Sequence, residues 1–284
     1  MDLPENLTEE LDCEDPSKNP TIIAEETKLD AEDSDKENND FTDNSIARKS
    51  SFQLFMTSGV SAEEQHEFGL FLESIGVQLA VSTTCEPNAT HVIAQKIARS
   101  EKMLGSIASG KWLLHPSYMT DCKEAGKLLP ENSYEWGSEE NDLINELKSE
   151  LEVKLAKASH RLRVKREKGL DSVFSGIKAI IHTSAQRKSS FRQLLQIGGG
   201  KVIDESQNVK PPYSDPKDAT HCIAEPNKLP KQSIDYKALA MRGVAVVNPV
   251  YINEFLANDP PPNVENHLIE DFKPYWERSK KHLN

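Results

Sequence analysis

The 284-residue sequence has four cysteines and places no two of them together: Cys13, Cys85, Cys122 and Cys222 form no CxxC pair. This argues against a zinc site or a disulfide framework and fits a reducing compartment. Also missing is any apolar run approaching the roughly 18 residues that a membrane span needs. The amino end, MDLPENLTEELDCED, has no basic region followed by an apolar one, so neither a secretory leader nor a membrane partner is expected. No Walker loop, nucleophile elbow, ligase-type lysine motif or metal-ligand spacing is found. The expectation is therefore a binding protein, not an enzyme, with no metal and no cofactor.

Basic charge is scarce at one end. Residues 1–47 hold 16 Asp and Glu against 3 Lys, which leaves 31 basic and 30 acidic side chains in residues 48–284. The formal net charge of −12 is thus a property of the tail alone. A stretch so acidic and so poor in aromatics cannot bury enough apolar surface to offset its ordering entropy, and residues 1–49 read as a disordered tail. Within it, KENN at 36–39 resembles a KEN-type degradation signal. Balanced charge over the remainder argues against the broad basic surface of a typical DNA binder.

What the sequence does contain is a repetition. NATHVIAQ at 88–95 returns as DATHCIAE at 218–225, Thr90 and Thr220 standing 130 positions apart, while Gly110 and Gly243 open apolar runs 133 apart. Two elements recurring together at nearly one offset indicate a duplicated domain of about 100 residues. In the first copy SFQLFMTSG reads as a strand. AEEQHEFGLFLESIG puts Phe68, Phe71, Leu72 and Ile75 at helical spacing. VQLAV, THVIA and KWLL are further strands, SEKMLGSIASG is a helix, and HPSYMTDCKEAG is a helix begun by Pro116. The second copy repeats this through GIKAIIHTS, SSFRQLLQIG, KVID, THCIA, SIDYKALAMRG, VAVVN and PVYINEFLAN. The order βαββαβα with continuous apolar strands calls for an α/β fold, a four-stranded parallel sheet flanked by helices, in each copy.

The expected organisation is a tail at 1–49, a first domain at 50–137, a helical linker at 138–170, a second domain at 171–277 and a short tail at 278–284. Leu143, Leu147, Leu151 and Leu155 recur every fourth position and predict one long helix over 139–168. Its end, HRLRVKREK, reads either as a solvated helix terminus or as an import signal or nucleic-acid patch.

Chemistry is sought where the copies differ. Ser100 is a candidate N-cap, so Lys102 falls in the first helical turn, where the helix dipole disfavours a cation and an anion is needed to compensate. At the end of the first strand, TSG offers the Ser58 hydroxyl and the Gly59 N–H. Together with Lys102 they form a candidate phosphate site. In the second copy the 133-residue offset puts Asp235 in the place of Lys102, and Ala185 follows Thr183 and Ser184 where a glycine is wanted. One pocket per chain is expected. His91 and His221 read as structural, and Trp112 and Trp136 as packing.

The paired ATHVIA and ATHCIA signals, the GKWLLHPSYMTDC run and the glycine-ended first helix resemble tandem BRCT domains over residues 51 to 275. Tyr118 and Tyr251 depart from the tryptophan most members carry in the last helix. The resemblance implies that Ser58, Gly59 and Lys102 bind phosphate, that Arg99 contacts peptide backbone in a groove and that Gln65 stands where a relative has arginine. It further implies a nuclear phosphopeptide-binding scaffold of the DNA damage response and replication checkpoint. Its partners would be phosphorylated checkpoint or repair proteins of the checkpoint kinase or DNA helicase class, with DNA contact secondary. The alternative is a nucleic-acid-binding or purely structural pair. Deleting residues 1–47 is expected to leave the melting temperature nearly unchanged, since a disordered segment contributes no buried area; differential scanning calorimetry of both chains checks this.

Overall fold

The structure, a computed structural model, describes residues 52–203, 209–215, 218–228 and 233–283. The expected acidic tail and its KENN stretch lie outside the described residues. The first repeat comprises β1 (Leu54–Ser58), α1 (Ala62–Ser74), β2 (Gln78–Ala80), β3 (His91–Ala94), α2 (Glu101–Ala108), β4 (Trp112–Leu114) and α3 (Ser117–Ala125). After α4 (Glu150–Glu167), the second repeat follows: β5 (Lys178–His182), α5 (Ala185–Ile197), β6 (Lys201–Ile203), β7 (His221–Ala224), α6 (Tyr236–Met241), β8 (Ala245–Val247) and α7 (Val250–Ala257). A further helix, α8 (Lys273–Leu283), closes the described chain. The sheets are parallel, with orders β2-β1-β3-β4 and β6-β5-β7-β8. This is the expected architecture, twice.

The repeated phrase proves to be the central strand together with the device that sets its register. Thr90 Oγ1 accepts from the Leu54 N–H at 3.1 Å and donates to the Leu54 carbonyl at 3.2 Å, with the His91 Nδ1 2.7 Å away. Thr220 does the same to Lys178, at 2.9 and 3.2 Å, with the His221 Nδ1 at 2.8 Å. One hydroxyl thus ties the start of the third strand to the start of the first. Each ring then lies along an aromatic: His91 stacks on Phe55 at 4.5 Å and His221 on Tyr251 at 5.4 Å. Burial holds the His221 pKa down at about 4, so the ring stays neutral at ordinary pH. Tyr118 and Tyr251 are buried and occupy the core as a tryptophan would, Tyr118 donating to the Leu129 carbonyl at 3.0 Å.

The linker differs from the expected single helix. Leu143–Glu146 form only a 3-10 turn, and α4 begins at Glu150, where Ser149 and Glu152 make a capping box. Leu143 and Leu147 still pack on the core, but from the turn, and Leu151 is exposed. The leucine period therefore ran across a helix start that S-x-x-E marks. The face of α4 that is buried carries Leu155, Ala156, Ala158, Ser159, Leu162 and Arg163. At the other end, α8 crosses the expected boundary between 277 and 278. Trp276 lies 5.7 Å from Phe272, and Tyr275 lies 6.1 Å from Tyr236, so this segment belongs to the second repeat. Pro274, in the first turn of α8, suits a helix start.

Each repeat ends in a short extended segment lying antiparallel to its outer strand, Glu135 opposite Leu114 and Leu268 opposite Val247. In the first repeat this segment receives α4. Gly137 has φ +81°, and a Cβ there would come within 2.1 Å of the Ala156 carbonyl oxygen, so only glycine lets the helix approach. Beside it the fully buried Glu135 accepts from Arg163 Nη2 at 2.8 Å and from Arg163 Nε, and it pairs with His160 Nδ1 at 2.7 Å. Removing one partner of a buried pair leaves the other uncompensated and costs about 3–5 kcal/mol. Glu135→Leu and Arg163→Met are each expected to lose stability on that scale in urea denaturation, and the double variant to lose less than either single one.

Candidate functional site

In both sheets the chain steps from the first strand to one side and then crosses to the other, so a crevice opens at the carboxyl ends of the first and third strands. In the first repeat this crevice is a cleft of about 410 Å³ lined by Ser58, Gly59, Gln65, Lys96, Ser100 and Lys102, among others. The expected triplet and Gln65 are brought together. Ser58 is the last residue of β1, and Gly59 turns the chain with φ +71° toward Ser61, whose hydroxyl and Glu64 form the capping box of α1. Among the described residues nothing pairs with the Ser58 hydroxyl or the Gly59 N–H.

Across the cleft α2 begins. Ser100 is its N-cap, as expected, accepting from the Met103 N–H at 3.2 Å, so Lys102 lies in the first turn. Two of its N–H groups donate to the carbonyls of Thr57, at 2.7 Å, and of Ser82, which leaves a third for a ligand. Burial lowers the Lys102 pKa, with a smaller opposing contribution from Cys85. An arriving anion offsets that penalty. The arrangement of a hydroxyl, a free N–H, a partly desolvated ammonium and a helix N-terminus suits a tetrahedral dianion.

The matching crevice of the second repeat is filled by its own side chains. By sheet register Ser58 pairs with Ala94 and His182 with Ala224, so His182 stands in the place of Ser58 and Thr183 in that of Gly59. This corrects the alignment of Thr183, Ser184 and Ala185 with the TSG turn: Ser184 is at the N-cap position of α5, which starts four residues before the expected SSFRQLLQIG. His182 Nδ1 lies 2.7 Å from the Tyr213 hydroxyl, and Arg187 pairs with the buried Glu225. Counted from the helix caps, Lys237 takes the second helical position that Lys102 holds in α2, and the counterpart of Ser100 is Asp235. It is the N-cap of α6, accepting from the Ala238 N–H at 2.9 Å, and α6 is two residues shorter than α2. This helix terminus is satisfied by its own chain.

Arg99 does not line the first-repeat cleft. It is exposed in a second one, of about 290 Å³, between α2 and α5, with Arg187 and Ser190 on the rim and Leu104, Leu194 and Ile197 on the floor. Glu101 lines both clefts. The residues sequence reasoning passed over are Lys96, which adds a second cation to the first cleft, and Glu101, which adds an anion. Their only signal was position, in the β3–α2 loop and at the head of α2.

Most of the basic cluster at 160–168 is engaged within the protein, and Lys168 at its end is exposed. Arg163 is buried on Glu135, its guanidinium 3.6 Å over the Trp112 ring. Arg161 donates to the carbonyls of Leu256 at 3.2 Å and Asn258 at 3.3 Å, at the end of α7, and Lys165 lies 3.6 Å from Asp259. Arg166 donates to the Ser109 carbonyl at 2.9 Å, at the end of α2. These charges bind the linker to both repeats. Trp136 is buried and donates to the Ala94 carbonyl at 3.0 Å, so it is packing, as expected.

Residues 35–136 match the family model of the Regulator of Ty1 transposition protein 107 BRCT domain. The crystal structure of the BRCT5-BRCT6 domains of Brc1 from S. pombe superposes with a TM-score of 0.51 at 15% identity, covering 78% of this chain and 99% of that one. The chain folds as a tandem BRCT pair. A BRCT domain-containing protein of Arabidopsis thaliana is 26% identical over 245 residues, 83% of this chain and 16% of that protein. The bovine SMC5-SMC6 complex localization factor protein 1 is 28% identical over 190 residues, 65% of this chain and 17% of that protein. The BRCT pair thus spans about a sixth of the length of these curated relatives. Since Asp235 serves its own helix, Asp235→Ala is expected to cost about 1 kcal/mol of stability, measured by urea denaturation.

Proposed function

We propose that the BRCT pair is a phosphopeptide-binding adaptor that reads a phosphorylated serine or threonine through the first repeat, with the ligand running on into the cleft between repeats. The observation that carries this reading is the convergence of Ser58, Gly59 and Lys102 on one cleft at the crevice of the first sheet, while the second crevice is filled from within. Charge-assisted hydrogen bonds contribute on the order of 1.5–3 kcal/mol each, so these three groups supply at least about half of the about 8 kcal/mol of a micromolar complex. The inter-repeat cleft supplies the rest, with Arg99 at its rim. On this reading the protein does no covalent chemistry.

The partners fit the DNA damage response and the nucleus. EKMLGSIASGKWLLHPSYMTDC, SYEWGS, FSGIKAIIHTSAQRKSSFRQLLQIGGGKV and PPPNVENHLIEDF resemble the carboxy-terminal BRCT pair of DNA topoisomerase II-binding protein, which points to a phosphorylated checkpoint kinase or DNA helicase as ligand. The bovine relative is named for localising the SMC5-SMC6 complex, a role that suits a docking module. Pull-down from a library of phosphoserine and phosphothreonine peptides, against its dephosphorylated control, identifies the ligand. In calorimetric titration Lys102→Ala is expected to weaken binding about tenfold or more, with little effect on the unphosphorylated peptide, whereas Asp235→Ala leaves affinity unchanged. Equal affinity for the two peptides in the unmutated protein, or equal losses in the two variants, overturns the reading.

A further inference from the structure

One charge in the first cleft works against a phosphate. Glu101 is the first residue of α2, directly before Lys102, and its side chain is exposed where the two clefts meet. It is held from the other repeat: the Ser190 hydroxyl of α5 donates to Glu101 Oε1. An anion at the head of a helix is favourable for the helix, but here it stands beside the place prepared for a dianion. A ligand that occupies both clefts passes this carboxylate. An acidic ligand residue at the crossing meets like charge, and a lysine or arginine there meets a partner. Beyond the crossing the sign changes again, because Arg99 has no ion-pair partner among the described residues while Arg187, across the same cleft, is committed to Glu225.

We propose that Glu101 is a specificity-determining residue, one that selects phosphopeptides carrying a basic residue where the ligand crosses from the first-repeat cleft into the inter-repeat cleft. This rests on the phosphopeptide reading above and adds to it the charge of the ligand next to its phosphate. The Ser190 hydroxyl holds the Glu101 carboxylate at the rim that the two clefts share.

The test is a set of phosphoserine peptides that differ only in having Lys, Ala or Glu at each of the three positions on either side of the phosphate. They are titrated against the full chain and its Glu101→Gln, Glu101→Lys and Lys102→Ala variants. At one position the unmutated protein is expected to prefer Lys over Glu by about fivefold, the scale of an exposed attraction replaced by a repulsion. Glu101→Gln is expected to abolish that preference and Glu101→Lys to invert it. Lys102→Ala is expected to weaken every peptide while leaving the order of preference intact. If Glu101→Gln instead strengthens all peptides alike, or no position shows a preference that Glu101→Lys inverts, Glu101 is not a determinant although phosphate recognition stands. If no peptide in the set binds in a phosphate-dependent manner, the functional reading and this inference fall together.

Discussion

The arrangement of the two repeats depends on a carboxylate that is out of reach of water. Glu135 sits at the edge of the first sheet and takes both a guanidinium and an imidazole from the linker helix. A lone carboxylate in that place would carry a prohibitive desolvation cost, so the helix must arrive with Arg163 in position. Gly137 then admits the backbone of α4 to van der Waals contact, and the guanidinium lies flat on Trp112. With the helix axis set, Arg161 and Arg166 reach carbonyls on α7 and α2. Stability and inter-repeat geometry thus share one anchor.

The fold was largely legible from residues because duplication supplied an internal control. Where both copies agreed, as in the Thr-His pair opening the third strand, the agreement reflected one physical device used twice. The succession of strands and helices along each copy followed. The elements misjudged are those without a second copy: the linker helix and α8. For the linker, the leucine period carried on through the helix start that Ser149 and Glu152 form. For α8, no helix was expected after α7, and the tail was set to begin at 278, inside a helix that runs from Lys273 to Leu283.

The site was legible in composition and less so in register. Ser58, Gly59, Gln65 and Lys102 converge because a strand end and a helix start face each other across a crevice, which topology alone dictates. Matching the Thr183-Ser184 pair to Thr57-Ser58 misplaced the second-copy turn by two residues, since helix α5 begins early and brings Ser184 to a cap. Arg99 could not be assigned to its cleft from sequence, because that cleft exists only once the second repeat is docked. For the same reason the basic run at 160–168 was read as surface. Its partners are backbone carbonyls on α7 and α2 and carboxylates distant in sequence, Glu135 and Asp259, and nothing in the run itself marks them.

Helix α2 belongs to two assemblies at once: its head shapes the candidate ligand cleft, and its flank, with Leu104 and Gly105, lies against α5. Gly105 leaves no room for a side chain, as a Cβ would meet Cys85 at 2.9 Å, so the helix has little freedom to shift in its seat. A helix seated this tightly cannot lose one neighbour and keep its place against the other. Inherited changes that impair recognition should therefore be scattered widely, in the second repeat and the linker as well as in the cleft, and many would act on the protein's abundance in cells without touching its ligand.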